Sequence, residues 1–177
     1  MGTMTDETFA DLLDRHAGLI RRVASVYCRD AAAREDVVQE IALQAWLSRH
    51  RYDGRCKEST WLYRIAVNVA ISHHRKERRR PEGGVPLDEQ SIAAPEAGTG
   101  AGEDARLLLR CVQELEPLDR ALVLLYLDGN DHAEVADVLG ISASNVGTKL
   151  LRIKALLRAA FERHARPTPK ENSDGTR

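Results

Sequence analysis

The chain has 177 residues, enough for one domain or two small ones, with 43% hydrophobic, 30% charged and only 5% aromatic side chains. A formal net charge of −1 excludes a general polycation, and no apolar run approaches the roughly 18 residues of a membrane span. Cys28, Cys56 and Cys111 are odd in number, widely spaced and without a CxxC pair, which argues against a disulfide framework and for a reducing, cytoplasmic setting.

Leu, Ala, Arg and Glu dominate, so an all-α fold is expected, and the N-terminus carries no signal-peptide apolar stretch. Residues Met1 to Thr5 read as a loose start. From Asp6 to about Cys28, Phe9, Leu12, Leu13, Ile20, Val23, Ala24 and Tyr27 outline one amphipathic helix, which Gly18 weakens by about 1 kcal/mol relative to Ala. A second helix runs from about Ala32 to Arg49, with its acids early and its Arg late as the helix dipole favours. Val37, Ile41, Ala45 and Leu47 are its candidate core residues; Asp36, Gln39, Glu40, Leu43 and Trp46 lie across its other faces. Tyr52-Asp53-Gly54 signals a turn.

The third helix, Ser59 to Arg80, has Ser59 as its candidate N-cap and an expected apolar face of Trp61, Leu62, Ile65, Val69 and Ser72, with Val67 and Ala70 adjoining. Arg64, Asn68, His74 and Arg75 fall on other faces, and the helix ends in Arg75, Lys76, Arg78, Arg79 and Arg80 before Pro81. These three helices make a first domain over residues 6–80. Residues 81–104 hold six acids and no base among Gly, Pro and Ala, which reads as an acidic flexible linker; its Val85-Pro86-Leu87 island could dock somewhere. The linker serves either as a solubilising tether or as a strap over the basic end of the third helix.

A second domain spans 105–166. Pro117 suits the first turn of the helix that Gly129 ends, Asp131 with Glu134 fits a capping box, Gly140 closes a short helix, and Ser142 caps a long one with Val146, Leu150, Ile153 and Leu157 inward. A short helix, a Gly turn and a second helix with a polar, basic outer face form a helix-turn-helix pattern. Ser144, Asn145, Thr148, Lys149 and Arg152 face away from the inward stripe and suit base edges and phosphates; the other reading is a helical hairpin with a solvated face. Only twelve residues follow Ala165, and no further C-terminal domain is expected.

The neutral total hides segregated charge. Ten Lys/Arg face three Asp/Glu from Arg49 to Arg80, and seven bases face one acid from Ile141 to Lys170, a nucleic-acid footprint in two pieces. Cys56, His50, His73 and His74 show no repeated ligand spacing, so no metal and no cofactor is expected. No Ser/His/Asp set or phosphate-cradling Gly loop points to an enzyme.

Three segments together resemble the extracytoplasmic-function sigma factors, the smallest class of the sigma-70 specificity subunits of bacterial RNA polymerase. EDVVQE (Glu35 to Glu40) is similar to the family's polymerase-clamp-binding helix, STWLYRIAVNVAI (Ser59 to Ile71) to its promoter-melting helix, and Leu115 to Lys154 to its second DNA-binding domain. The resemblance implies that Asp36, Gln39 and Glu40, with Trp46 as an apolar anchor, meet core polymerase. It implies that Tyr52, Lys57, Ser59, Trp61 and Asn68 open duplex DNA and capture a minus-ten base, on a basic track of Arg64, Arg75, Lys76 and Arg78. Ser144, Asn145, Thr148, Lys149 and Arg152 would read the minus-thirty-five element as duplex. Taken by itself, Trp61 reads as a buried core tryptophan ahead of an exposed stacking one. Where the family often has a bulky aromatic stands Ala42, and where it often has Phe stands Glu58. The implied partners are core RNA polymerase, promoter DNA both duplex and melted, and an anti-sigma factor, with no direct membrane insertion. The rival is a stand-alone helix-turn-helix regulator of duplex DNA.

Overall fold

A computed structural model describes residues 6–79 and 102–165. The expected loose start, Arg80, the Pro81 stop, the linker over 81–101 with its Val85-Pro86-Leu87 island, and the tail beyond Ala165 lie outside the described residues. Within them the chain forms α1 (Asp6–Arg15), α2 (Ala17–Tyr27), α3 (Ala31–Ser48), a 3-10 turn at Arg49–Arg51, α4 (Glu58–Arg79), α5 (Glu103–Gln113), α6 (Pro117–Leu127), α7 (His132–Leu139) and α8 (Ala143–Ala165).

The first expected helix is two. The backbone leaves helical angles at His16 (φ −108°, ψ 12°), although His16 N–H still reaches Leu12 O (3.1 Å) and Ile20 N–H reaches His16 O (3.2 Å), so the break is a kink. Gly18, the weakest helix former of the run, sits two residues on. Asp30 starts α3: its extended backbone and its carboxylate, accepting from Ala33 N–H at 2.8 Å, make it the N-cap. Val37, Ile41 and Ala45 are buried as expected, but Leu47 is 54% exposed, off the core-facing stripe of α3.

Helix α4 begins one residue before the expected cap. Trp61 N–H bonds Lys57 O at 3.1 Å, which puts Lys57 at the cap and Ser59 inside the first turn. Its buried face is Thr60, Leu62, Tyr63, Ala66, Val67 and Ala70, whereas Trp61, Ile65 and Val69 are half-buried and Ser72 is exposed. The apolar stripe read from the sequence is thus rotated by part of a turn. The reason is that α4 packs on two sides, against α2 and α3 and against α6 and α7.

In the second half the local signals and the backbone agree. Pro117 lies in the first turn of α6, Gly129 (φ 81°) follows it, and Asp131 and Glu134 form the reciprocal capping box of α7. Gly140 ends α7 at φ 68°, ψ 33°, the left-handed conformation that costs an L side chain most. Ser142 Oγ accepts from Asn145 N–H at 3.3 Å at the head of α8. Glu103 and Asp104, assigned to the linker from sequence, are the first turn of α5, where acids suit the dipole.

The two halves pack together, α2 on α5 and α6, and α4 on α6 and α7, and their buried apolar side chains join in one core. The C-terminal carbonyls of α2, which a helix leaves without intrahelical donors, are met from the other half: Gln113 Nε2 donates to Ser25 O (2.8 Å) and Arg120 to Val26 O (3.4 Å). In return Tyr27 Oη donates to Pro117 O at 2.5 Å. Asp128, at the end of α6, accepts from Arg22 at 2.7 and 3.2 Å and from the Tyr63 hydroxyl.

Candidate polymerase-binding and nucleic-acid-binding surfaces

Three surfaces carry the residues singled out from sequence. On α3, Asp36, Gln39 and Glu40 are all exposed, and Glu40 accepts from Gln44 Nε2 at 2.8 Å. Steps of four, three and four residues carry Asp36 to Glu40, Leu43 and Leu47 along one helix face. Leu43 and Leu47 are 49% and 54% exposed, so this face alternates carboxylates with bare leucines. Trp46 is held differently. Its ring meets Phe9 edge-on (centroids 5.2 Å apart), and the Arg49 guanidinium lies 3.5 Å from its centroid. The apolar groups offered outward are therefore the leucines, which the sequence reading gave to the core or left without a task.

The second surface is the loop before α4 and one stripe of that helix. Lys57, Trp61, Arg64, Asn68 and Arg75 follow at steps of four, three, four and seven residues, which places them on one face. Trp61 is half-buried, its ring 5.4 Å from that of Tyr52, whose hydroxyl donates to Cys56 O at 2.8 Å. The pair makes a tilted aromatic ledge, between the fully buried and fully exposed readings of Trp61. Ser59 is half-buried; Asn68, Arg75, Lys76 and Arg78 are exposed. Glu58 takes Arg15 at 2.9 Å and lies 3.7 Å from His16, joining α1 to the head of α4.

Two cations of this stripe already have carboxylate partners on the other half. Lys57 Nζ meets Glu134 Oε1, while Arg64 meets Asp137 Oδ1 (2.5 Å) and Asp137 O (3.2 Å). The Glu134 carboxylate raises the Lys57 pKa, and Lys57 with the Asp131 N–H lowers that of Glu134, so both partners favour the ionised pair. Burial, then the Asp128 hydrogen bond, raises the Tyr63 hydroxyl, which stays protonated and donates.

The third surface is the head of α8. Ser144, Asn145 and Thr148 are exposed; the Ser144 hydroxyl lies 3.2 Å from that of Ser142, and Thr148 Oγ1 donates back to Ser144 O. Lys149 and Arg152 share one carboxylate, that of Asp119 in α6, at 3.0 and 2.5 Å. Asp119 is 2% exposed, and the two cations tie the long helix to the core of its half. Lys149 is committed to that role more fully, its side chain being 23% exposed against 59% for Arg152.

A helix-turn-helix geometry thus follows a bundle with a basic, aromatic stripe. The family model described as Sigma-70 region 2 matches residues 12–80, and that described as Sigma-70, region 4 matches residues 105–157. The chain belongs to the sigma-70 family. Its extracytoplasmic-function class is shown by its relatives. One is the ECF RNA polymerase sigma factor SigX of Bacillus subtilis (strain 168), 29% identical over 165 residues, covering 89% of this chain and 85% of that one. Another is SigW of the same organism, 26% identical over 166 residues, covering 86% and 88%. The fold is that of the sigma factor RpoE of Bartonella quintana, solved in complex with the anti-sigma factor NepR. The TM-score is 0.72 at 20% identity, over 87% of this chain and 96% of that one.

Within this sigma factor, sequence reasoning missed Asp119, Asp128 and Asp137, and found in Glu134 only its capping role. The Glu134 carboxylate does two things, Oε2 accepting from Asp131 N–H at 3.0 Å while Oε1 holds Lys57. An acid at the third position of a helix beginning Pro-Leu-Asp was the one available signal for Asp119. No group of three His, Cys, Asp or Glu side chains among the described residues is gathered for a metal, and no described helix is long and apolar enough to cross a membrane.

Proposed function

We propose that the three surfaces divide the work of a sigma factor, which directs core RNA polymerase to specific promoters and starts transcription. The α3 face of Asp36, Gln39, Glu40, Leu43 and Leu47 binds polymerase, its acids giving orientation and its leucines the apolar contact. The α4 stripe takes the melted minus-ten strand: cations track the backbone, and the Tyr52–Trp61 ledge receives a base. Ser144, Asn145 and Thr148 enter the major groove at the minus-thirty-five element, and Arg152, 59% exposed beside Asp119, has a side chain free to reach a phosphate as well.

The chain performs no chemistry and works in the cytoplasm, where polymerase and promoters are. An anti-sigma protein is its regulatory partner, as NepR is for RpoE in the complex that shares this fold. The observation that carries the reading is the single-face alignment of Lys57, Trp61, Arg64, Asn68 and Arg75 in the part that matches region 2. A stand-alone regulator would have no use for that stripe or for the acidic α3 face. The test is co-purification with core RNA polymerase. Wild type is retained and Asp36→Arg is lost; retention of both forms removes Asp36 from the contact, and retention of neither refutes the polymerase role.

A further inference from the structure

Helix α3 is polarised along its length as well as across it. From Glu35 to Ser48 the chain holds three acids and no base, and the turn that follows is Arg49-His50-Arg51. Leu43 stands midway. Seven residues make close to two full turns, so Asp36 lies two turns before Leu43 on its face and His50 two turns after it, with Arg51 four residues beyond Leu47. Asp36, Glu40, Leu43, Leu47, His50 and Arg51 are all exposed, and neither leucine joins the apolar core of the described residues. A face with acid at one end, leucine in the middle and base at the other is complementary to itself when reversed. A parallel copy sets acid on acid and base on base. An antiparallel copy, related by a two-fold through Leu43, sets Leu43 on Leu43 and brings Asp36 to the His50-Arg51 turn at both ends.

We propose that the free sigma factor pairs with a second copy of itself through α3, antiparallel and two-fold symmetric, with Leu43 and Leu47 inside and Asp36 against Arg51 at each end. The charges decide the orientation and the leucines supply the apolar contact. The pair is weak by construction. The six exposed residues of this face are far fewer than the roughly 20–30 a side of a standard stable interface. Its Kd therefore lies at about 10–100 µM and rises with salt, because the end charges are open to solvent. The same face serves core polymerase in the reading given above, so self-pairing and polymerase binding exclude one another. Only that consequence rests on the polymerase reading; the pairing itself rests on the pattern of the face. Sigma factor in excess of polymerase covers its leucines in this way and releases them as polymerase becomes free.

The test is sedimentation equilibrium of the full chain from about 2 to 500 µM at low salt, a range that brackets the expected Kd. The average mass of wild type climbs from that of one chain towards that of two, and Leu43→Glu needs about tenfold more protein to do the same. Asp36→Arg sets like charges opposite Arg51 at both ends, and Arg51→Asp sets them opposite Asp36. Each variant alone pairs about tenfold more weakly or worse, since two attractions become two repulsions. An equimolar mixture of the two restores opposite charges at both ends and pairs about as well as wild type. That rescue needs the antiparallel geometry, and a variant that failed to fold could not produce it. A wild type that stays monomeric throughout, single variants that pair like wild type, or a mixture that stays monomeric overturns the proposal. Wild type that pairs with itself but is not retained on core polymerase strikes instead at the polymerase reading and leaves the self-pair standing.

Discussion

Asp119→Ala tests how α8 is held. The carboxylate is 2% exposed and accepts from Lys149 at 3.0 Å and Arg152 at 2.5 Å. The Lys149 link is shielded, a charge-assisted bond worth about 1.5 kcal/mol. The Arg152 side chain is 59% exposed, so solvent screening cuts its share to about 0.5 kcal/mol. The favourable placing of an acid in the first turn of α6 adds about 0.5 kcal/mol. Removing a buried carboxylate returns part of its desolvation cost, which leaves a net loss of about 2 kcal/mol. For a chain of this length that is a fall in Tm of about 4–8 °C. Urea unfolding followed by circular dichroism measures it, alone and in a double-mutant cycle with Lys149→Ala, where the coupling is about 1 kcal/mol. A loss below about 0.5 kcal/mol, or additive single and double variants, would show that α8 is not tethered through Asp119.

Leu43→Glu, on a face that nothing among the described residues covers, changes stability by less than about 0.5 kcal/mol but weakens polymerase retention about tenfold or more, as for a central apolar contact; titrated co-purification separates the two effects. Burial, with the Glu77 charge behind it, pushes the Cys28 thiol up to about 12 from 9.0, and burial also raises Tyr27 and Tyr63. Below the ordinary thiol value both states hold the proton; above it only the unfolded chain releases it, so the urea midpoint falls as pH rises from 9.0 towards 12, and falls less steeply in Cys28→Ala. Gly140→Ala, at φ 68° with nothing within 4 Å of the added methyl, costs about 1 kcal/mol through the backbone alone. Gly147→Ala, inside α8 with His132 no nearer than 3.7 Å, gains about as much, and thermal melts of the two variants move in opposite directions.

Residues 117–146 were legible because their signals are local. Pro117, the Asp131/Glu134 box, Gly140 and Ser142 each act within four residues, and the backbone follows them. Helix α4 was harder for a physical reason: it is buried on two sides, so from Ser59 to Ser72 every position but Arg64 and Asn68 is apolar, aromatic or small, and periodicity alone does not say which stripe goes deepest. Leu47 was misassigned because an exposed leucine and a core leucine look alike in one chain. Asp119 and Asp128 could not be placed at all; their cations lie 30, 33 and 106 residues away, and only the packing of the helices brings them together. The α4 stripe has a regular spacing, yet the sequence reading set Trp61 on the apolar face and Arg64, Asn68 and Arg75 on others, because Trp61 is only half-buried and fits either side.

The acceptors that join the halves are in good part main-chain carbonyls: Ser25 O, Val26 O and Pro117 O. No point substitution removes a carbonyl oxygen. Drift in α2 can change side chains without deleting what Gln113 and Arg120 bond to, so these halves can diverge at different rates and still fit. The same property makes chimeras informative. Exchanging the N-terminal half for that of another sigma factor keeps the helix-end carbonyls and replaces Tyr27, Arg22 and Tyr63, which isolates the side-chain share of the association in a single molecule.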